Sequence, residues 1–166
     1  MSSSTPEVWT AAVVTVSDSC ARGDRTDLSG PAVAELLRKT NFSVVGTEII
    51  ADEQAAIEKA IVYWANEARM VITIGGTGIA RRDVTPEATR NVCTRFLEGV
   101  AEKMRLEGSK KTPLAVLSRG LCGVYGESLV LNLPGSPTGA VESLEAVINL
   151  LPHALQLLSG NTKHGG

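Results

Sequence analysis

Residues Val71–Thr89 read VITIGGTGIARRDVTPEAT, and the fold turns on them. Val71-Ile72-Thr73-Ile74 is a β-branched run, the composition of a strand buried in a parallel sheet. It breaks into Gly75-Gly76-Thr77-Gly78, where the backbone can turn sharply and present its N–H groups. Thr85-Pro86-Glu87 then has the order of an N-cap, a first helical position and an acidic first turn. Between the glycines and that helix lie Arg81, Arg82 and Asp83. Strand, glycine loop, basic pair, carboxylate and helix start make an anion-binding arrangement suited to phosphate. The glycines alone decide little, since a plain strand-to-helix turn would use them too. They form neither a G-x-G-x-x-G fingerprint nor a P-loop.

On the N-terminal side, Ala11–Val16 predicts a first buried strand that ends in Ser17-Asp18-Ser19. The polar stretch Cys20–Ser29 predicts a flexible loop at that strand's carboxyl end, with Ser29 capping a helix that opens at Pro31. Asp18 can be explained by an Asx turn. Phe42–Ile50 predicts the second strand, and Asp52 follows it in a position to cap a helix over Glu53–Ala68. Arg69–Ile74 is the third strand.

On the C-terminal side, helices are expected over Pro86–Phe96 and Gly99–Glu107, and a fourth strand over Leu114–Leu117, ending in Ser118-Arg119. Gly120, Gly123 and Gly126 punctuate a loop or hairpin before a fifth strand, Leu129–Leu133. Pro134-Gly135-Ser136 then makes a rigid turn into one or two helices over Pro137–Leu158. This is a second set of backbone N–H groups at a helix start. The order predicts one three-layer α/β/α domain over residues 11–160, between tails at 1–10 and 161–166. Its sheet is mainly parallel, with an antiparallel strand added by the hairpin.

The composition bounds the chemistry. Hydrophobic residues make up 43% but aromatics only 4%, so the core must be aliphatic, as helices packed on a parallel sheet require. A formal charge of −2 argues against a general nucleic-acid binder, so any phosphate site is local. Cys20, Cys93 and Cys122 are odd in number and include no Cys-x-x-Cys pair, which suits free thiols in a reducing compartment. No apolar run is long enough for a membrane span, and a cytoplasmic protein is expected. Asp52 and Asp83 follow neighbouring predicted strands, and Mg²⁺ typically takes one or two protein carboxylates with phosphate oxygens and waters. The residues themselves therefore reach as far as phosphate chemistry assisted by a metal.

GGTG followed by RRDVTPEAT, with TVSDS, LSGP, DEQ, LSR and NLPGSP in the same order, closely resembles the molybdopterin adenylyltransferases, the MogA-type enzymes of molybdenum cofactor assembly. The resemblance runs from about Val13 to Gly160. It implies adenylyl transfer from ATP to molybdopterin with Mg²⁺, yielding adenylylated molybdopterin and pyrophosphate. It also implies a homotrimer, and a transient contact with the enzyme that inserts molybdenum. By the matching blocks, Asp52 and Asp83 are the expected catalytic and metal-holding residues. Ser17, Asp18, Gly75, Gly76, Thr77, Gly78, Arg81, Arg82, Ser118, Arg119, Pro134, Gly135 and Ser136 are the expected nucleotide and pterin contacts. Two positions depart from the pattern: Ala51 stands where Pro is usual, and Ile74 where Thr is common. A MoaB-type relative, a module that binds molybdopterin without reacting it, and a protein-binding scaffold are the competing readings. The blocks favour the MogA type, and both carboxylates are present.

Overall fold

The computed structural model describes residues 7–160; the expected tail at 161–166 and the first six residues lie outside it. Strands and helices alternate as β1 (Trp9–Val16), α1 (Asp18–Ala21), α2 (Ser29–Arg38), β2 (Phe42–Ile50), α3 (Gln54–Glu67), β3 (Met70–Ile74) and α4 (Thr85–Val92). Then come β4 (Arg95–Phe96), α5 (Glu98–Ser109), a short 3-10 helix (Pro113–Leu117), β5 (Cys122–Tyr125), β6 (Ser128–Leu133), α6 (Pro137–Val147) and α7 (Leu151–Leu158). One sheet of order β2-β1-β3-β6-β5-β4 results. β2, β1, β3 and β6 are parallel, so their carboxyl ends open at one edge, while β5 and β4 add an antiparallel extension.

Alternation along the strands divides the core in two. Ala11, Val13, Met70, Ile72, Ile74, Leu129, Leu131 and Leu133 face α2, α5, α6 and α7. Val14, Val16, Val71 and Val130 face α3 and α4 through Ile57, Ile61 and Ala88. Both layers are aliphatic and fully covered, which is why the central strands read as near-continuous apolar runs.

Two buried polar ties cross the sheet. The Asn132 side-chain amide donates to the Thr73 and Thr89 hydroxyls at 2.9 and 3.0 Å and accepts the Leu121 N–H at 3.1 Å. It thereby joins β3, β6 and α4 to the chain entering β5. The Ser128 hydroxyl lies 2.7 Å from the Ala65 carbonyl and 2.9 Å from that of Ala68, serving acceptors that the end of α3 leaves open.

The structure corrects several local expectations. Leu114–Leu117 is not a strand: Pro113 starts a 3-10 helix, the Thr112 hydroxyl accepts the Leu114 N–H, and the sheet edge is occupied by β5 and β4. The helix expected over Pro86–Phe96 stops at Val92, because Arg95–Phe96 leaves it to pair with β5. β1 begins at Trp9, two residues inside the expected tail. Ser29 is not a cap; it lies inside α2, and its hydroxyl donates to the Gly135 carbonyl at 2.7 Å. Thr85 likewise lies within α4, whose N-cap is Val84. Asp52 does not cap α3, since extended Glu53 holds that place. The stretch after Ser17 is less loop-like than expected, with one helical turn that Ser17 caps through the Cys20 N–H.

Candidate active site

The loops after β1, β2, β3 and β6 meet at the carboxyl edge of the sheet, the position where open α/β sheets bind ligands. The glycines at the end of β3 are sterically required. Gly75 and Gly76 have φ of +101° and +68°. A Cβ at Gly75 would run into the Val16 carbonyl oxygen, and one at Gly76 into the Thr85 hydroxyl. The turn is held by the Gly75 N–H on the Leu133 carbonyl (2.9 Å), the Thr85 hydroxyl on the Gly75 carbonyl (3.0 Å) and the Thr85 N–H on the Gly76 carbonyl (3.1 Å). That leaves the N–H groups of Gly76, Thr77 and Gly78 without intramolecular acceptors among the described residues, and the same holds for those of Gly135 and Ser136. The two loops touch: a Cβ on Gly135 would sit 3.4 Å from the Gly75 Cα. Together they form a concave patch of donors suited to an anion.

Two cavities flank this patch. One, of about 460 Å³, is lined largely by apolar groups of α5 and the 3-10 helix, among them Ala101, Met104, Leu114 and Leu117, with Ser118 and Arg105 as polar elements. The other, of about 330 Å³, is lined by Ser17, Cys20, Arg25, Asp27, Asp52 and the start of α2. We call them the apolar lobe and the carboxylate lobe. Gly76, Asp83, Gly135 and Ser136 line both, so the lobes meet at the glycine loops and at one carboxylate.

Asp18 and Asp52 are locked to each other. The Asp18 N–H donates to Asp52 Oδ2 at 2.8 Å, and the Asp52 N–H to Asp18 Oδ1 at 2.9 Å. Arg82 forks onto the Asp18 carboxylate at 2.6 and 3.0 Å and reaches Glu53 at 2.7 Å. That guanidinium, and then the Asp52 N–H, pull the Asp18 carboxyl down to about 2. Asp52 moves the other way. Burial raises its pKa, and the charges of Asp18 and Asp83 add to the rise. Asp52 Oδ1 and Asp83 Oδ1 accept no hydrogen bond among the described residues, while their Oδ2 atoms take the Asp18 and Ala80 N–H groups. Two carboxylates bordering one lobe, each with an oxygen to spare and one disfavoured as an anion, fit a hard divalent cation that brings its own waters.

The sequence-predicted residues therefore come together at one edge, in different roles. Gly75–Gly78, Asp52, Asp83, Ser118, Pro134, Gly135 and Ser136 border the lobes. Ser17 and Ser136 also serve as helix caps, accepting the Cys20 and Gly139 N–H groups. Arg81 is exposed and makes no side-chain hydrogen bond among the described residues, whereas Arg82 is turned toward Asp18 and Arg119 toward Glu87. The sequence reading missed Arg25 and Arg105. Arg25 lies in a loop with no motif, and Arg105, which donates to the Gly120 carbonyl at 3.0 Å, reads as an ordinary helix-surface charge. Asp27 was also missed, although Asp-x-x-Gly is a turn signal: it accepts the Thr15 hydroxyl at 2.7 Å and the Gly30 N–H at 3.0 Å.

Comparison with known proteins yields consistent relatives. The family described as probable molybdopterin binding domain matches residues 12–153. The molybdopterin adenylyltransferase of Helicobacter pylori strain J99 is 42% identical over 153 residues, covering 90% of this chain and 87% of that protein. The structure of the molybdopterin biosynthesis enzyme MoaB from Thermus thermophilus superposes with a TM-score of 0.87 at 49% identity, covering 92% of this chain and 98% of the other. A MogA structure gives 0.86 at 40% identity, with 90% and 99% covered. Over nearly the whole described length, the chain belongs to the probable molybdopterin binding domain family.

Proposed function

We propose that this protein transfers the adenylyl group of Mg-ATP to molybdopterin, giving adenylylated molybdopterin and pyrophosphate. The observation that carries the reading is the pair of lobes meeting at Gly76, Asp83, Gly135 and Ser136. A transfer between two substrates needs two compartments with one junction, and the donor-rich patch lies at that junction. The carboxylate lobe takes the nucleotide, because Asp52 and Asp83 both border it and Arg25 supplies a cation for the polyphosphate. The apolar lobe takes the pterin, whose ring suits a wall of Met104, Leu114 and Leu117.

The terminal phosphate oxygen of molybdopterin attacks the α-phosphorus of ATP. A new P–O bond forms, the bond from the α-phosphorus to the bridging oxygen breaks, and pyrophosphate leaves with that electron pair. The attacking oxygen is already ionised at neutral pH, so no strong general base is required. The N–H groups of the glycine loops bind the transferring phosphoryl oxygens and hold them in line. Asp52 and Asp83 would hold Mg²⁺, which when bound neutralises phosphate charge. The family relationship and the H. pylori adenylyltransferase support this chemistry.

The protein acts in the cytoplasm as a homotrimer and meets the molybdenum-inserting enzyme transiently. Exposed Leu106 and Val116, which border a separate cleft outside both lobes, supply apolar area for a subunit contact. No helix among the described residues is long and apolar enough to cross a membrane. The test is to incubate pure protein with Mg-ATP and molybdopterin and look for adenylylated pterin and pyrophosphate. Binding of the pterin with neither product formed would leave a carrier instead of an enzyme.

A further inference from the structure

Arg119, expected from the matching sequence blocks to contact a ligand, has its half-buried side chain committed to intramolecular partners. Its Nε donates to the Gly78 carbonyl at 2.8 Å, and Nη2 to the Asp83 carbonyl at 2.8 Å. Nη1 and Nη2 both meet the Glu87 carboxylate, at 2.8 to 3.1 Å. A guanidinium offers its N–H donors in one rigid plane, and all three nitrogens are engaged here. The Arg119 main-chain N–H adds a bond to the Thr77 carbonyl at 2.9 Å. One residue thus grips the carbonyls of 77, 78 and 83, both ends of the loop that carries Asp83. Inside that loop Asp83 Oδ2 accepts the Ala80 N–H at 3.0 Å, and a Cβ on Gly78 would stand 2.8 Å from the same oxygen. Glu87, in the first turn of α4, fixes the plane of the fork from the opposite side. The hydrogen bonds from Arg119 hold the Glu87 carboxyl below its ordinary range.

We infer that Glu87 and Arg119 are a positioning pair: they set how Asp83 presents its carboxylate at the junction of the lobes, and neither touches a substrate. The inference rests on the reading of Asp83 as a carboxylate serving Mg-ATP. It extends the site to Glu87, which otherwise looks like an acidic residue complementing a helix dipole.

The test compares Glu87→Gln, Arg119→Lys and Asp83→Asn across a Mg²⁺ titration, with melting curves and circular dichroism to verify folding. Glu87→Gln keeps the shape and loses the charge; Arg119→Lys keeps the charge and loses the planar fork. Both are expected to fold and to lose about 10- to 100-fold in turnover, as supporting partners of a metal-holding group do. Their half-saturation in Mg²⁺ should move upward while the KM for molybdopterin stays within about twofold. The double variant should be no worse than the poorer single one, since the pair acts as a unit. Lowered melting with unchanged turnover and Mg²⁺ requirement would mean a structural ion pair only, and would overturn the inference. So would a Glu87→Gln protein of normal turnover beside an Arg119→Lys protein whose only defect is a raised KM. If Asp83→Asn turns over normally, the reading of Asp83 falls and the inference with it. If Asp83→Asn is inactive and Glu87→Gln is not, only the inference falls.

Discussion

The two lobes are built from opposite materials. The carboxylate lobe is made of loop ends locked by hydrogen bonds and ion pairs: the Asp18 and Asp52 carboxylates each accept the other's backbone N–H, and Arg82 bridges Asp18 to Glu53. The apolar lobe is made of helix faces, and its outer wall, the 3-10 helix, leaves Leu114 69% exposed. Charge must be held rigidly to act on a phosphoryl group, whereas a flat heteroaromatic ring needs area for its faces and a few polar groups at its edge. The lobes should therefore answer differently to the same kind of perturbation.

The largest difference is expected at the carboxylates. Asp83→Asn keeps the shape of the side chain without its charge, and should lower turnover by about a hundredfold or more, at least roughly 2.7 kcal/mol, with molybdopterin binding retained. Steady-state kinetics beside direct pterin binding measures this; turnover within a few-fold of wild type would remove Asp83 from the mechanism. Asp52→Asn should lose turnover comparably without losing stability. The folded-state pKa of Asp52 is raised by burial, so its charged form works against folding at neutral pH, and that penalty disappears only at acid pH. A melting temperature at neutral pH equal to or above wild type is the expected result.

A gentler change in the other lobe should sort the substrates. Ser118→Ala removes one hydroxyl from the apolar lobe and should raise the KM for molybdopterin by about three- to tenfold, the worth of one hydrogen bond, while the KM for ATP is unchanged. The opposite pattern would exchange the two assignments.

Acid should release the Asp18 tie beside the carboxylate lobe only at the extreme of the range. The Asp18 carboxyl lies at about 2 when folded against 3.8 ordinarily, so its stabilising contribution is complete above the ordinary value and is lost as pH falls through about 2. Asp18→Asn should flatten the acid limb of a melting-temperature profile within that window. An unchanged limb would show that the Arg82 fork adds nothing to folding.

The smallest effect is expected at a thiol. Burial holds Cys93 at about 11 and Cys122 at about 12, whereas Cys20 lines the carboxylate lobe and is partly exposed. Alkylation of the native protein should therefore modify Cys20 alone, more slowly with Mg-ATP present and at an unaltered rate with molybdopterin. Equal protection by both ligands would merge the two lobes into one site.

Much of this was legible in the sequence because it is local. Val71–Ile74 has the β-branched composition of a buried strand, and the glycines after it mark a turn whose need for them at 75 and 76 the structure then bears out. What the sequence hid is pairing across distance. Whether Asp52 caps a helix or binds Asp18, and whether Arg119 faces a ligand or Glu87, depends on which loops the sheet brings together. Leu114–Leu117 misled for a related reason: an apolar tetrapeptide looks like a strand, but Pro113 starts a 3-10 helix there and β5 takes the place beside β6. The sequence blocks that carried the family resemblance mark where the site is. They do not say which of its charges face inward.

The Ser128 hydroxyl makes the last turn of α3 dependent on a strand sixty residues later. Until β6 has docked, the Ala65 and Ala68 carbonyls have only water to bond, and the helix end should fray. Amide protons in that last turn should accordingly exchange with solvent as slowly as those of β6, and faster in Ser128→Ala, while those at the start of α3 keep their rates. A hydroxyl at the end of the sheet opposite the lobes thus makes the order of assembly observable: the carboxyl end of α3 reports when the parallel sheet has closed.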